Sequence, residues 1–269
     1  ERAAGLHAMH DRTVAGRRVG FHGERTMAST TIADILAWVA ARTGRALFED
    51  EGVQFGPAER DLTGATVCWM PDPPAMRAAA AAGHEVLLHH EALTFPYPGL
   101  GPPIPEAGAW PTNAARRAAL EAGGLTAVRI HESADLTHIY AEFVRRLGLG
   151  EPTARGGGLL QHVFEIEPTP YAQLIERVKA AAGLPGVRAT CCTGPDRTIR
   201  RVGLPWGGLG LFTNVRYQQA LLELGVDAMI AGESDSYGMR VVTEGGVDLI
   251  ETSHEASEEP GVARWAADL

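Results

Sequence analysis

The sequence predicts an α/β fold: two lobes of related topology with mixed sheets. Three observations carry this. Short apolar strand-like runs alternate with helical periods. The same run of elements occurs twice. A glycine-rich break, Arg155-Gly156-Gly157-Gly158, separates the two occurrences.

The first helix is predicted from about Thr31 to Arg42. There Ile32, Ile35, Leu36 and Val39 make one apolar stripe, and Ser29 or Thr30 is placed to cap it. A loop, Phe48 to Gly56, follows. Ala65 to Trp69 then reads as a strand. Pro73 and Pro74 suit the first turn of a helix that Gly83 ends. Glu85 to Leu88 is the next strand and runs into His89-His90. Phe95 to Pro111, rich in Pro and Gly, reads as a loop, a lid or an oligomer contact.

Beyond the break come a strand (Val163 to Ile166), an amphipathic helix from Tyr171 to Val178, and a strand near Val187 to Thr190. Ile199 to Leu204 is a strand. The turn Trp206-Gly207-Gly208-Leu209-Gly210 leads to a helix from about Asn214 to Leu224, and the next strand ends at Gly232-Glu233. Gly83 through Glu91 and Gly225 through Glu233 match in length and apolar pattern. In each half a further strand follows, Ala127 to Ile130 before His131 and Val247 to Thr252 before His254, so the chain reads as an internal duplication. The expected organisation is an extension or disordered N-terminus over 1–26, with Met27 near the natural start, an N-terminal α/β lobe over 27–155, and a C-terminal α/β lobe over 159–269.

Composition narrows the function. Of 269 residues 45% are hydrophobic and 21% charged, which suits a globular protein with a full core. A formal charge of −9 argues against nucleic acid or an anionic membrane surface as partner. Three cysteines, Cys68, Cys191 and Cys192, make no disulfide framework and point to a reducing, cytoplasmic setting. No apolar stretch reaches the ~18 residues of a membrane span.

The chemistry-bearing residues fall just after predicted strands, where ligands collect in open α/β sheets. The first cluster is His89-His90. Two adjacent imidazoles serve one site where a strand ends, or where two ions sit ~3.5–4 Å apart; otherwise they are a pair of loop histidines. The second is His131-Glu132-Ser133-Ala134-Asp135, with His138 beyond. It is either a carboxylate-bearing metal site or a capped start of the helix through Arg145 and Arg146. The third is His254 and Glu258, followed by Pro260. They converge on an ion, or they are an acidic helix start. Pro260 argues against a regular helix there. Imidazole with carboxylate suits Zn, Fe or Mn, and the single-zinc motif HExxH is absent.

These residues resemble the Nif-three-like family of dinuclear-metal hexameric proteins, often labelled GTP cyclohydrolase type 2 homologues, over nearly everything from Thr31 to Leu269. The family's W-D-N-x-G-L loop is matched by Phe48-Glu49-Asp50-Glu51-Gly52-Val53. Its H-H-P is matched by His89-His90, with Glu91 in place of the proline, and its H-T-N-x-D by His131 and Asp135, with the Thr-Asn between them lost. Its G-E is matched by Gly232-Glu233. Its G-H-x-x-x-E-x-x-G is matched by His254, Glu258 and Gly261, with Ser253 in place of the first Gly.

The resemblance implies two divalent ions per chain held by His89, His90, Asp135, His254 and Glu258, in the cleft between the lobes. His131 lies close by, and the assembly is a homo-hexamer. Glu132 and His138 stand as alternatives to Asp135. Glu91, Glu233 or His131 would move the proton in a metal-dependent hydrolase, cyclohydrolase-like on a nucleotide or related heterocycle. The alternative is a non-catalytic metal-binding adaptor or regulator, because the residues around H-T-N and G-E depart from the family pattern. Two weaker features remain. Gly207 to Gly210 is a tight turn or a phosphate cradle. Cys191 and Cys192 read as buried small apolar residues.

Overall fold

The computed structural model describes residues 30–269, so the extension expected over 1–26, the start at Met27 and the Ser29 cap lie outside the described residues. The chain forms two compact units. One comprises the residues up to Ser133 together with Ala266–Leu269, the other Ala134–Trp265.

In the first unit, Thr30–Thr31 (β1) leads into the helix Ile32–Thr43 (α1). The cap is Thr31 rather than Ser29 or Thr30. Its side chain accepts from Asp34 N, while Asp34 accepts from Thr31 N, a reciprocal capping box that only this residue completes. Gly52–Phe55 (β2), Asp61–Leu62 (β3), Ala65–Cys68 (β4), Val86–His89 (β5) and Thr126–Arg129 (β6) follow. The helix Pro73–Ala81 (α2), capped by Asp72, joins β4 to β5, and Pro111–Gly123 (α3) joins β5 to β6. The sheet order is β2-β6-β5-β4. β4, β5 and β6 are parallel and β2 is antiparallel beside β6; β1 and β3 form a separate pair. β5 and β6 are buried throughout, as expected of parallel strands covered by crossover helices. Met76, Ala79, Leu87, Leu120, Leu125 and Ala127 form the core between sheet and helices.

The chain leaves this unit through the short helix Glu132–Ala134 (α4). It passes directly into one π-helical stretch, Asp135–Ile139, and then the helix Tyr140–Arg146 (α5).

The second unit contains Ala154–Arg155 (β7), His162–Pro170 (β8), Tyr171–Ala182 (α6), Arg188–Ala189 (β9) and Thr198–Gly203 (β10). Val215–Glu223 (α7), Ala228–Ala231 (β11), Ser236–Glu244 (α8), Asp248–Glu251 (β12) and His254–Asp268 (α9) complete it. Its sheet runs β7-β8-β10-β11-β12-β9. β10, β11 and β12 are parallel, and β9 is antiparallel beside β12. Each unit therefore holds three consecutive parallel strands with an antiparallel strand beside the third. That is the topological repeat expected from the sequence, and both sheets are mixed.

Two expectations are corrected. The stretch after His254 is a regular helix with Pro260 inside it. The lost backbone bond, a cost of about 3 kcal/mol, is offset by packing. At Gly261 an added Cβ would lie 2.3 Å from Ile139 Cα, so α9 presses against the π-helical stretch. Cys191 and Cys192 are exposed, not buried. The buried Asp248 carboxylate accepts from Thr190 Oγ1, Cys192 N and Thr193 N at 2.7–3.0 Å, and so fixes the loop after β9 at the surface.

Candidate metal centre

The first unit builds its part of the site at the ends of β5 and β6. His89 closes β5, His90 and Glu91 follow it, and all three are buried. His89 Nδ1 lies 2.8 Å from the Glu91 carbonyl, and His90 Nδ1 lies 3.2 Å from that of Ile130. A carbonyl only accepts, so each Nδ1 carries the proton and each Nε2 keeps its lone pair. His89 Nε2 is buried with no hydrogen-bond partner among the described residues. Burial first, opposed by the bond to the Glu91 carbonyl and reinforced by the Arg129 charge, holds the His89 imidazole down at about 3. It is a neutral ligand-type histidine.

His131 stands beside this pair, its ring centroid 5.0 Å from that of His90. It is oriented from both sides. Its Nδ1 meets Asp50 Oδ2 at 2.9 Å, and Tyr97 Oη lies 3.3 Å from its Nε2. Arg129, itself buried, pairs with Asp50 at 2.9 Å. It donates from Nε to the His90 carbonyl at 3.0 Å and from Nη2 to the Tyr97 hydroxyl. With Arg129 donating to its oxygen, Tyr97 gives its own proton to His131. Burial and the Glu91 charge push the Tyr97 phenol up to about 12, so it stays a donor. The His131 hydrogen bond and the nearby cations outweigh desolvation and hold Asp50 below the usual carboxylate range. Glu51 fastens the next turn. Its carboxylate accepts from His131 N, Ser133 N and Ser133 Oγ at 2.6–2.8 Å, capping α4 from outside the helix. The loop Phe48–Val53 thus holds His131 and the start of α4.

The second unit centres on Trp206-Gly207-Gly208. Trp206 Nε1 donates to Asp135 Oδ1 at 3.1 Å. Asp135 sits on the π-helical stretch, an irregularity common at functional sites. On the other side of the turn, Gly207 lies where a Cβ would be 2.0 Å from Glu258 Oε1, and Gly208 where one would be 3.3 Å from His254 Cε1. The turn is therefore packed on a carboxylate and an imidazole, and it is not an open phosphate cradle. His254 and Glu258, four apart on α9, face each other with Nε2 to Oε2 at 3.2 Å. His254 Nδ1 lies 3.1 Å from Glu233 Oε2, the carboxylate–histidine arrangement that fixes a metal-binding tautomer. His138 is buried on the same π-helical stretch, its Nδ1 2.7 Å from Thr137 Oγ1.

Each unit thus assembles its predicted residues: His89, His90, Glu91 and His131 in the first, Asp135, His254, Glu258 and Glu233 in the second. His90, Glu91, His131, Asp135 and Glu258 are candidate metal ligands. Imidazole and carboxylate donors, with no cysteine among them, fit a borderline divalent cation. Asp50, Tyr97, Arg129 and Trp206 were not predicted as functional. Arg129 within a buried strand was a legible signal, because a buried guanidinium needs partners. Tyr97 in a Pro-rich loop gave none.

Mixed α/β units carrying histidine–carboxylate candidate ligands define the class of protein. A family model described as Duf34/NIF3 (NGG1p interacting factor 3) matches residues 27–269, and the chain belongs to that family. No curated protein matches it. Among solved structures it is similar to Staphylococcus aureus protein SA1388 (13% identity, TM-score 0.68, covering 85% of this chain and 87% of that one). It is also similar to a Bacillus cereus protein related to NIF3 (11%, 0.70, 90% and 93%) and to HcgD from Methanocaldococcus jannaschii (14%, 0.70, 91% and 96%). At these identities the likeness establishes the fold.

Proposed function

We propose that the chain is a dinuclear-metal-dependent hydrolase whose ions are held by His89, His90, Asp135, His254 and Glu258. The observation that carries this is the pair His254 Nε2 and Glu258 Oε2. With Nδ1 donating to Glu233, Nε2 presents a lone pair to a carboxylate oxygen 3.2 Å away. An imidazole nitrogen and a carboxylate oxygen set this close are a donor pair that a divalent ion can share. His89, whose buried Nε2 has no hydrogen-bond partner among the described residues, presents a lone pair as well. Two divalent ions, when bound, supply the charge that polarises the bond under attack. His131, oriented by Asp50 and Tyr97, exchanges a proton at Nε2. Glu91, the buried carboxylate, and Glu233, half-exposed, are the other groups able to move one. The substrate class is a cyclic amidine within a nucleotide or related heterocycle. A homo-hexamer in the cytoplasm is part of the same proposal.

A second reading is a non-catalytic metal-binding adaptor or regulator. It is favoured by one observation: Glu233 is engaged in orienting His254. X-ray absorption on zinc-loaded protein should show nitrogen and oxygen neighbours without sulfur. Nucleotide turnover that is lost in His90→Ala, with the assembly's mass unchanged, supports the enzyme. No turnover of purine or pteridine substrates by fully loaded protein leaves the adaptor.

A further inference from the structure

The second unit carries another set of nucleophilic side chains, the adjacent thiols of Cys191 and Cys192. Both are free and exposed. That is unusual, because unpaired cysteine is among the most buried residue types. The loop that bears them is held on two sides. Thr190 N donates to Leu249 O at 3.0 Å and Thr190 Oγ1 accepts from Leu249 N at 2.9 Å, which extends the pairing of β9 with β12. The fully buried Asp248 carboxylate accepts from Thr190 Oγ1 and Cys192 N at 2.8 and 2.7 Å, and from Thr193 N at 3.0 Å. On the other side, the carbonyls of Pro195 and Arg197 accept from Ala172 N and Tyr171 N, each at 2.9 Å. The two cysteines are thus fixed between β12 and the start of α6, yet stay at the surface. A buried carboxylate is costly unless its oxygens are satisfied. Here the groups that satisfy it belong to the cysteine loop.

Backbone spacing decides what two such thiols can do. Consecutive Cα atoms lie ~3.8 Å apart, short of the roughly 4.4–6.8 Å that a disulfide spans. A ring closed between neighbours would be strained and readily reduced. The pair is better matched to an ion that sits between two sulfurs and lengthens the bridge. Thiolates select soft cations such as monovalent copper. Zinc would ask for about four ligands, and among the described residues no third His, Cys, Asp or Glu completes a metal-binding group with these two. We propose that Cys191 and Cys192 form a two-thiolate chelate for a soft, low-coordinate cation of the monovalent-copper type. On binding, each thiol gives its proton to solvent and each sulfur gives a lone pair to the ion, and no electron is transferred. The site shares no residue with the imidazole–carboxylate centre and does not rest on the reading of that centre.

The test titrates the reduced, chelator-treated full chain with monovalent copper, without oxygen, in competition with bicinchoninate. Wild type should take its tightest ion at ~1 per chain. Cys191→Ser and Cys192→Ser should each weaken that ion by ~100-fold or more, the gain of a chelate over a single ligand. His254→Ala, which keeps both thiols, should hold it like wild type. Circular dichroism checks that serine at these exposed positions leaves the fold intact. A second measurement needs no variant. Phenylarsine oxide bridges paired thiols: its As=O oxygen leaves as water with the two thiol protons while two As–S bonds form. One such adduct per chain should protect Cys191 and Cys192 from alkylation by iodoacetamide. Copper held as tightly by the double serine variant, or by either single variant, overturns the proposal. So does copper lost in His254→Ala, one ion shared by two chains, or an arsenical that leaves both thiols open to alkylation.

Discussion

The two units repeat one topology and use it differently. Gly83 through Glu91 corresponds to Gly225 through Glu233, so His89 falls opposite Ala231, His90 opposite Gly232, and Glu91 opposite Glu233. In the first unit the end of the second parallel strand delivers imidazoles directly. In the second unit that strand end is cleared of side chains, because the Gly207 backbone crosses it within 2.4 Å of where a Cβ would be. The donors come instead from α9, which follows the third parallel strand. The helix starts diverge too. α4 is capped by Glu51, 81 positions before Glu132, whereas α9 is capped by Ser253 Oγ accepting from Ala256 N at 3.0 Å. Ser253 does this at φ 139, a backbone region that favours glycine. One arrangement of strands has thus kept the place where candidate ligands gather and changed which element supplies them.

The largest effect expected from breaking this difference is at the crossing turn. Gly207→Ala places a methyl 2.0 Å from Glu258 Oε1 on a backbone at φ 53. Overpacking and left-handed strain together should cost roughly 2–4 kcal/mol. That is a fall in Tm of about 5–15 °C for a chain of this size. Calorimetry checks it.

The next effect is the acid sensitivity that His89 adds in the first unit. His89 is held at about 3, below its unfolded value. The unfolded chain therefore binds the proton first as pH falls. Stability from this group is fully present above the unfolded pKa near ~6.5. It is lost progressively as pH drops toward 3, by linkage. Urea midpoints of chelator-treated protein should fall between pH 6.5 and 4, and His89→Gln should flatten that slope. Ala231, the counterpart, has nothing to titrate.

A smaller effect tests the second unit's supports. Trp206→Phe keeps the ring but removes the donor to Asp135. Loss of an orienting partner of this kind costs typically ~10–100-fold in metal affinity, read by competition with a chromophoric chelator, with little change in Tm. The smallest is a gain. Ser253→Gly relieves strain worth about 1–3 kcal/mol and gives up only a few tenths at the cap, so Tm should rise by a few degrees.

Much of this was legible in the sequence. The strand–helix alternation, the duplicated run and the His–carboxylate clusters after strands rest on local patterns of polarity and spacing, which folding preserves. What was hidden depends on partners far apart in the chain. Asp50 and Glu51 look like loop acids until Arg129, His131 and Ser133 arrive beside them. Trp206 reads as core until its N–H meets Asp135. The Pro260 helix was misread because propensity is local, whereas the contact that overrides it, Gly261 against Ile139, spans more than a hundred residues. The cysteine pair was misread for the same reason, its loop being fixed by Asp248.

The most direct test of the account is elemental analysis of protein purified without added metal, wild type beside His90→Ala and His254→Ala. Two divalent ions shared by these imidazoles and carboxylates predict ~2 ions of zinc, iron or manganese per wild-type chain, with loss in each variant while circular dichroism shows the chain still folded. Wild-type protein carrying fewer than ~0.2 ions per chain, and taking up none when offered zinc, iron or manganese, would contradict it.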